Sequence, residues 1–257
     1  MELAHKIYGS GEPLVVLHGL FGTLDNWQTV AKALAEHRQV VLVDLPNHGR
    51  SPHVERADYA AQAEALARFL GDQWMHEVDL LGHSMGGKVA MQYALTYPDR
   101  VRKLVVVDIA PRAYAPGHDE LFAAMAALPL DESRSRGEID ELLAADVPDV
   151  GVRRFLLKNL ARVPTGGYRW KLNLDVLRRE YPSLLAEVTG RPWPGEALFI
   201  RGGTSGYVRD EDWLQISRLF PAAKLETVEG AGHWVHAERP AELVAAVQRF
   251  LGATPSA

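Results

Sequence analysis

Five short apolar runs, of which only the third contains a polar residue (Asp79), constrain most strongly what this chain can fold into. They are rich in Val, Ile and Leu, do not alternate with polar residues, and cover residues 14–17, 40–43, 78–81, 104–107 and 197–200. Such runs are typical of strands that are buried on both faces of a parallel sheet. A sixth run, at 224–228, alternates more with polar residues and predicts a strand nearer the edge of the sheet.

Helical patterns lie between these runs. One set of apolar residues recurs every three or four positions and therefore shares a helix face: Tyr59, Ala63, Leu66 and Leu70. Asp58 is the expected N-cap of that helix and Gly71 its expected end. A second pattern near the C-terminus begins at Pro240, which suits a first helical turn. The alternation of strands and helices predicts an α/β fold with a mostly parallel, doubly wound sheet and right-handed crossovers.

One long segment interrupts this alternation. Residues 112–195 contain no convincing buried strand but show amphipathic helical patterns at 119–128, 138–145, 152–160 and 174–187. Connections of this length are rare in compact domains unless they carry structure of their own. We therefore predict a core formed by residues 1–111 and 196–257, with a helical cap, or lid, inserted at 112–195.

Composition excludes several classes of function. The chain has 257 residues, no cysteine and a net charge of −5, from 28 Lys and Arg against 33 Asp and Glu. The lack of a basic excess argues against nucleic-acid binding. The lack of cysteine excludes disulfides, a thiol nucleophile and Cys-ligated zinc or iron–sulfur centres. The sequence shows neither a signal-peptide pattern nor an apolar run of the ~20 residues that span a bilayer. We expect a soluble, cytoplasmic protein without stable membrane insertion.

A Gly-x-Ser-x-Gly pattern provides a candidate nucleophile. Residues 82–87, GHSMGG, follow the third apolar run and precede a helical pattern over 88–97. In a strand–turn–helix of this kind the serine lies on a sharp turn. Glycine on either side prevents a Cβ from colliding with the neighbouring strand and helix. The N-terminus of the following helix also favours developing negative charge. Ser84 is therefore the predicted nucleophile, and an incidental serine in a glycine-rich turn is the alternative.

Five sequence blocks, in this order along the chain, support a more specific interpretation. They are HGLFGTLDNW (18–27), GHSMGGK (82–88), VDIAP (107–111), RGGTSGYV (201–208) and GAGHWVHAE (230–238). With these blocks the sequence resembles the α/β-hydrolase superfamily over essentially its whole length. Within it, the sequence is similar to the YbfF-type and ABHD11-like serine esterases. The resemblance implies the α/β-hydrolase fold and an esterase or thioesterase that acts on small-molecule acyl substrates.

A serine hydroxyl is a weak nucleophile and needs an adjacent base. His233 lies in a glycine-rich loop between the last predicted strand and the last helix. This loop arrives at the edge of the sheet beside Ser84, and the chain order of serine, acid and histidine fits the fold. His236 is the nearest rival, and we expect it to pack or form a hydrogen bond within the loop.

The acid requires a choice between two strand ends. In much of the superfamily the carboxylate follows the penultimate strand in a G-x-x-D pattern, but Ser205 occupies that position here. The next carboxylates resemble the first turn of a helix: Asp210, Glu211 and Asp212. Asp108 ends the strand that follows the nucleophile strand, and the related esterases have their acid there. We favour Asp108; the alternative is that it only caps the entry to the inserted helices.

The oxyanion hole requires two N–H donors directed at the tetrahedral intermediate. We expect one from the backbone of Met85, which follows the nucleophile. The loop 18–22 would provide the other, with Leu20 as first choice and Phe21 as second. A mechanism of this kind uses no metal and no organic cofactor.

The predicted function is a serine hydrolase that cleaves carboxylic esters, or acyl thioesters, through a Ser84–His233–Asp108 triad and an acyl-enzyme intermediate. One alternative is the same triad used for carbon–carbon bond hydrolysis, perhydrolysis or lyase chemistry; another is a non-catalytic ligand-binding protein of hydrolase descent. A basic cluster in the insert could meet a phosphate-bearing substrate such as a coenzyme A thioester, but a solvated helix face is the favoured interpretation: Arg153, Arg154, Lys158 and Arg162.

Overall fold

The computed structural model describes residues 2–130, 134–164 and 166–252. The strands in these ranges are β1 His5–Tyr8, β2 Pro13–Leu17, β3 Gln39–Val43, β4 Val78–His83, β5 Val101–Val107, β6 Leu160–Arg162, β7 Tyr168–Trp170, β8 Glu196–Gly202 and β9 Ala223–Val228. The helices are α1 Gln28–Leu34, α2 Tyr59–Asp72, α3 Met85–Thr96, α4 Asp119–Ala127, α5 Arg136–Leu143, α6 Val150–Leu157, α7 Leu174–Arg179, α8 Tyr181–Leu185, α9 Trp213–Leu219, α10 Val235–Glu238 and α11 Pro240–Leu251.

Within the described residues, seven strands form one sheet in the order β1-β3-β2-β4-β5-β8-β9. Every neighbouring pair is parallel except β1 and β3, so the predicted α/β fold with a mostly parallel sheet is confirmed. The strand with the most alternating sequence, β9, lies at one edge, as predicted. In the middle of the sheet β4 and β5 are adjacent, with His83 opposite Val107. The residues that follow these two strands, Ser84 and Asp108, therefore leave the sheet side by side.

The sheet is covered by core side chains on both faces, which explains why the sequences of its central strands are mainly apolar. In β2, Leu14 and Val16 belong to one buried cluster, which includes residues of α1 and α11. Val15 and Leu17 belong to a second cluster on the other face, together with residues of α2 and α3. Because nearly every strand residue packs against one layer of helices or the other, the runs are almost entirely apolar. The exception is buried Asp79 in β4, which forms an ion pair with Arg38.

Some elements differ from the sequence prediction. The antiparallel strand β1 was not predicted because its four residues, HKIY, contain no apolar run of useful length and are half-buried or exposed. Asp58 caps α2 as predicted, since its side chain accepts a hydrogen bond from the N–H of Ala61 at 2.9 Å. The helix nevertheless continues to Asp72, so the prediction that it ends at Gly71 is wrong. Gly71 stays within the last turn and does not adopt the left-handed conformation that ends many helices.

The segment 112–195 contains the helices α4 to α8 and, in addition, a short antiparallel hairpin formed by β6 and β7. The helix predicted over 174–187 is two helices, α7 and α8. Pro182, in the first turn of α8, has no N–H to donate into a continuous helix. The division of the chain into a core and a cap at 112–195 stays a prediction. In the part of the chain described, no helix combines the length and the apolar character needed to cross a membrane.

Candidate active site

Ser84 lies on the sharp turn between β4 and α3 and has a positive φ of 52°. The two flanking glycines are required by their surroundings. A Cβ on Gly82 would lie 2.2 Å from the carbonyl oxygen of Gly86, and a Cβ on Gly86 would lie 2.5 Å from the carbonyl oxygen of His18. The turn therefore packs against its own helix and against the end of β2, and only glycine fits on both sides of the serine.

The structure brings the three residues of the predicted triad together. His233 Nε2 lies 3.1 Å from Ser84 Oγ, and His233 Nδ1 lies 2.8 Å from Asp108 Oδ2. Asp108 is fully buried and has a positive φ of 51°, which turns its side chain away from the strand direction of β5. Because a carboxylate only accepts hydrogen bonds, the imidazole hydrogen is on Nδ1, and Nε2 is free to accept from the serine hydroxyl.

Ser205 contacts the same carboxylate, a role the sequence analysis missed. Its hydroxyl donates to Asp108 Oδ2 at 2.5 Å, while the N–H of Gly202 donates to Oδ1 at 2.9 Å. Asp108 thus accepts three hydrogen bonds, counting that from His233. The departure from the G-x-x-D pattern was the one sequence signal for this contact. A serine at the position of the usual acid can still form a hydrogen bond with Asp108.

The rival carboxylates point elsewhere. Asp210 forms an ion pair with Arg201 at 2.6 Å, and its side chain is 89% exposed. Asp212 forms an ion pair with Arg112 at 2.9 Å and accepts a hydrogen bond from the N–H of Arg209 at 2.8 Å. As predicted, both lie in a first helical turn: Asp210–Asp212 form a short 3₁₀ helix that directly precedes α9.

Aromatic side chains and a backbone contact hold His233 in place. The ring of Tyr207 stacks on its imidazole, with a centroid separation of 3.8 Å and an interplanar angle of 16°. His83 Nε2 lies 2.8 Å from the carbonyl oxygen of His233. Among the described residues, no hydrogen bond joins His236 to Ser84. The His236 ring is buried and stacks on Trp27, with ring centroids 4.5 Å apart. Burial lowers the pKa of His236 to about 3, so this ring stays neutral.

The loop 18–22 runs beside Ser84. A Cβ on Gly19 would lie 3.2 Å from the Cβ of Ser84, so the two backbones approach closely. Phe21 has a positive φ of 59°, and Gly22 N–H donates to the carbonyl of Gly19 at 2.9 Å, which closes a tight turn. Among the described residues, the N–H groups of Leu20, Phe21 and Met85 make no hydrogen bond to another protein group.

His18 ties this loop to the end of β3. The N–H of Leu45 donates to His18 Nε2 at 3.0 Å, so the ring hydrogen is on Nδ1, which lies 2.8 Å from the carbonyl oxygen of Gly19. The ring is therefore a neutral bridge with one accepting and one donating nitrogen. Burial lowers the pKa of His18 to about 4 and that of the neighbouring His48 to about 3.

These two histidines predict an acid-sensitive fold. In the unfolded chain both titrate near 6.5, so the unfolded state binds more protons than the folded state below that pH. The free energy of unfolding should fall as the pH is lowered from about 6.5 towards 4, by about 3 kcal/mol from His18 alone. Urea titrations at pH 7, 5.5 and 4.5 measure this. The exposed substitution His76→Asn should leave the slope unchanged, and a flat profile would contradict the prediction.

Two cavities meet at Ser84. Their volumes are about 420 and 360 Å³, and five residues line both: Leu20, Ser84, Gly117, His118 and Tyr207. The first cavity continues past His233 and Trp234, and the second continues past Met85 and Lys88. The inserted segment supplies part of each wall, Val152 and Phe155 in the first and Leu184 and Leu185 in the second.

Lys88 of α3, which lines the second cavity, also connects this helix to the segment 112–195. Its buried ammonium group donates to the carbonyl oxygens of Arg112 and Ala186, at 2.6 Å each. These two acceptors lie near the beginning and the end of the inserted segment. Burial lowers the pKa of Lys88 to about 7. No pattern in the sequence distinguishes this lysine, because a Lys early in an amphipathic helix is usually exposed.

The basic cluster of the insert is not part of either cavity. Arg153 forms an ion pair with Asp140 at 2.7 Å, and the guanidinium of Arg162 lies 5.5 Å from the ring centre of Tyr168. Among the described residues, no group of three or more His, Asp and Glu side chains could hold a metal ion.

The chain is similar to known proteins in both sequence and structure. The model of the family described as the alpha/beta hydrolase family matches residues 14–247. Mouse sn-1-specific diacylglycerol lipase ABHD11 is 43% identical over 93% of this chain and 80% of its own length. Esterase YbfF of Escherichia coli K12 is 37% identical over 94% of each chain. A solved structure, of a marine microorganism esterase, has a TM-score of 0.95 and 41% identity over 97% of this chain and 99% of its own.

Proposed function

The chain belongs to the alpha/beta hydrolase family, and from this premise we propose that it is a serine esterase in which Ser84 is the nucleophile, His233 the base and Asp108 the acid. Its relatives over nearly the whole chain are named as esterases and as a lipase. The observation that carries the proposal is the unbroken hydrogen-bonded path from Asp108 through His233 to Ser84, at the junction of two cavities.

In the acylation step, Ser84 Oγ attacks the acyl carbonyl while His233 Nε2 takes the hydroxyl proton. Asp108 keeps the imidazole in the correct tautomer and stabilises the imidazolium that forms. The N–H groups of Met85 and Leu20, with Phe21 as the second choice for the loop donor, bind the oxyanion. Their lack of protein partners supports this role, since each donor is free for the substrate and is typically worth about 3–4 kcal/mol in the transition state.

The imidazolium of His233 then protonates the leaving oxygen or sulfur atom, and the alcohol or thiol departs. Water enters the vacated space, gives a proton to His233 Nε2 and attacks the acyl-enzyme, which releases the acid and restores Ser84. This path needs only the side chains and backbone groups named above.

The two cavities suggest where each half of the substrate binds. The leaving atom must lie near His233 to receive its proton, so the leaving group occupies the first cavity, which His233 lines. The acyl chain then occupies the second cavity, beyond Met85 and Lys88. Because the segment 112–195 lines both cavities, we propose that it is a cap whose packing limits the size of both halves.

This assignment predicts a shift in acyl-chain preference. Leu185→Trp, in the second cavity, should lower kcat/KM for long acyl chains at least tenfold relative to acetate, since each excluded methylene is worth about 1–3 kcal/mol. 4-Nitrophenyl esters from acetate to dodecanoate measure it. The matched control Val152→Trp, in the first cavity, should keep the acyl-length profile and disfavour bulky alcohols instead. The opposite pattern would reverse the assignment of the two cavities.

Covalent labelling tests the proposed function directly. A fluorophosphonate, which modifies only activated serine hydroxyls, should add one phosphonyl group per chain, located by mass spectrometry on the peptide that contains Ser84. Heat-unfolded protein should remain unlabelled, because the unfolded chain has no base beside the serine. If the folded protein neither takes the label nor hydrolyses any ester of the series, it is a ligand-binding member of the family rather than an enzyme.

A further inference from the structure

His118 lies at the junction of the two cavities but has no part in the mechanism above. It precedes α4 in the inserted segment, is partly exposed, and lines both cavities together with Ser84. Its ring packs edge-on against Phe21, of the loop beside the nucleophile, with ring centroids 5.9 Å apart. His118 therefore lines the region in which the two halves of a substrate would meet at Ser84.

The hydrogen bonds of the Tyr181 hydroxyl determine the tautomer of His118. The hydroxyl of Tyr181 accepts from the N–H of Gly117 and from the N–H of His118, at 3.1 Å each. These two bonds use both of its lone pairs. Its own hydrogen must therefore go to His118 Nδ1, which lies 2.7 Å away. Since Nδ1 accepts, the ring hydrogen of the neutral imidazole is on Nε2.

His118 Nε2 has no hydrogen-bond partner among the described residues, and this atom is not fully buried. The N–H is therefore accessible from the cavities that the ring lines. Burial lowers the pKa of His118, and the nearby His233 lowers it further, while Asp119 acts in the opposite direction. The side chain is thus a neutral donor at neutral pH.

We propose that His118 is a specificity-determining residue that favours oxygen esters over thioesters, by donating a hydrogen bond from Nε2 to the alkoxy oxygen of the scissile ester. This proposal rests on the proposed esterase function. In acylation the bond from Ser84 Oγ to the acyl carbon forms and the bond from that carbon to the alkoxy oxygen breaks. The alkoxy oxygen receives its proton from His233 and leaves as the alcohol, and His118 keeps its own proton throughout.

Sulfur and oxygen differ as acceptors at this position. An ester oxygen that is gaining negative charge accepts an N–H hydrogen bond well, whereas a thioester sulfur is a weak acceptor. A thiolate leaving group also needs less stabilisation than an alkoxide. Removal of the Nε2–H donor should therefore slow oxygen-ester cleavage and leave thioester cleavage almost unchanged.

Two substitutions separate the two nitrogens. His118→Asn keeps an acceptor near the Nδ1 position for Tyr181 and removes the donor at Nε2. His118→Gln keeps an amide donor near the Nε2 position. The substrates are ethyl butanoate and S-ethyl thiobutanoate, which differ in one atom, and kcat/KM is used because it reports on acylation. Exposed His76→Asn is the matched control, and thermal unfolding of each variant monitors the fold.

We expect His118→Asn to lower kcat/KM for ethyl butanoate about three- to tenfold, the usual effect of one neutral hydrogen bond, with less than a twofold change for the thioester. His118→Gln should restore most of the oxygen-ester rate. Equal losses on both substrates would overturn the proposal and indicate a structural role, and so would unchanged rates on both. Wild-type protein that cleaves neither substrate would contradict the esterase function itself, which is a different result from an unchanged ratio.

Discussion

Replacing Ser84 by alanine is expected to lower kcat for a preferred 4-nitrophenyl ester by about 10⁶-fold, the size of effect known for removal of an activated serine nucleophile. The reason is geometric. Ser84 Oγ is the atom that His233 Nε2 approaches at 3.1 Å and that faces both cavities. Alanine removes that atom while it keeps the Cβ, so the positive φ of the turn and its packing on Gly82 and Gly86 stay the same.

The measurement is a steady-state rate at saturating ester, with the fold checked by circular dichroism. Ser217→Ala is the matched control. Among the described residues, the Ser217 hydroxyl donates one hydrogen bond, to the carbonyl of Leu214 on α9, and Ser217 lines neither cavity. This control should retain wild-type activity. Ester turnover by Ser84→Ala within tenfold of wild type would remove the serine from the mechanism.

The order of apolar runs was sufficient to predict the sheet, because burial on both faces leaves a strong signal in the sequence. It could not predict β1, whose HKIY sequence has only two apolar residues, pairs with the outer side of β3 and is partly exposed. Nor could it predict the hairpin of β6 and β7, since three-residue strands carry too few positions for a period to be recognised. Short, exposed elements depend on tertiary contacts that local patterns do not contain.

The site divides in the same way. Ser84 and His233 each lie in a glycine-bearing segment that directly follows a predicted strand, so sequence alone predicts where their side chains arrive. Ser205 and Tyr207 act through side-chain contacts with Asp108 and His233, and such contacts depend on how the loop after β8 folds over β5. A loop without regular structure gives no period from which to predict those contacts.

Asp108→Asn is expected to lower kcat by about 10⁴-fold, as the equivalent change does in serine proteases. In the native site Asp108 accepts three hydrogen bonds, from Gly202 N–H, Ser205 Oγ–H and His233 Nδ1–H. An asparagine has one oxygen and one NH₂ group. If the oxygen stays with Gly202, the NH₂ group faces His233 and must donate to Nδ1. The imidazole hydrogen then moves to Nε2, and a protonated Nε2 cannot accept the proton of Ser84.

The alternative acids provide the controls, since both are carboxylates near the same end of the sheet. Asp210→Asn changes an exposed pair with Arg201, and Asp212→Asn changes a pair with Arg112. Neither carboxylate contacts His233 by any described hydrogen bond, so both variants should keep kcat within about threefold of wild type. The loss in Asp108→Asn should appear in kcat with little change in KM, because the buried carboxylate of Asp108 lines neither cavity and does not touch the substrate. A large loss at position 210 or 212, with Asp108→Asn active, would instead assign the acid to the loop after β8 and leave Asp108 as a structural cap.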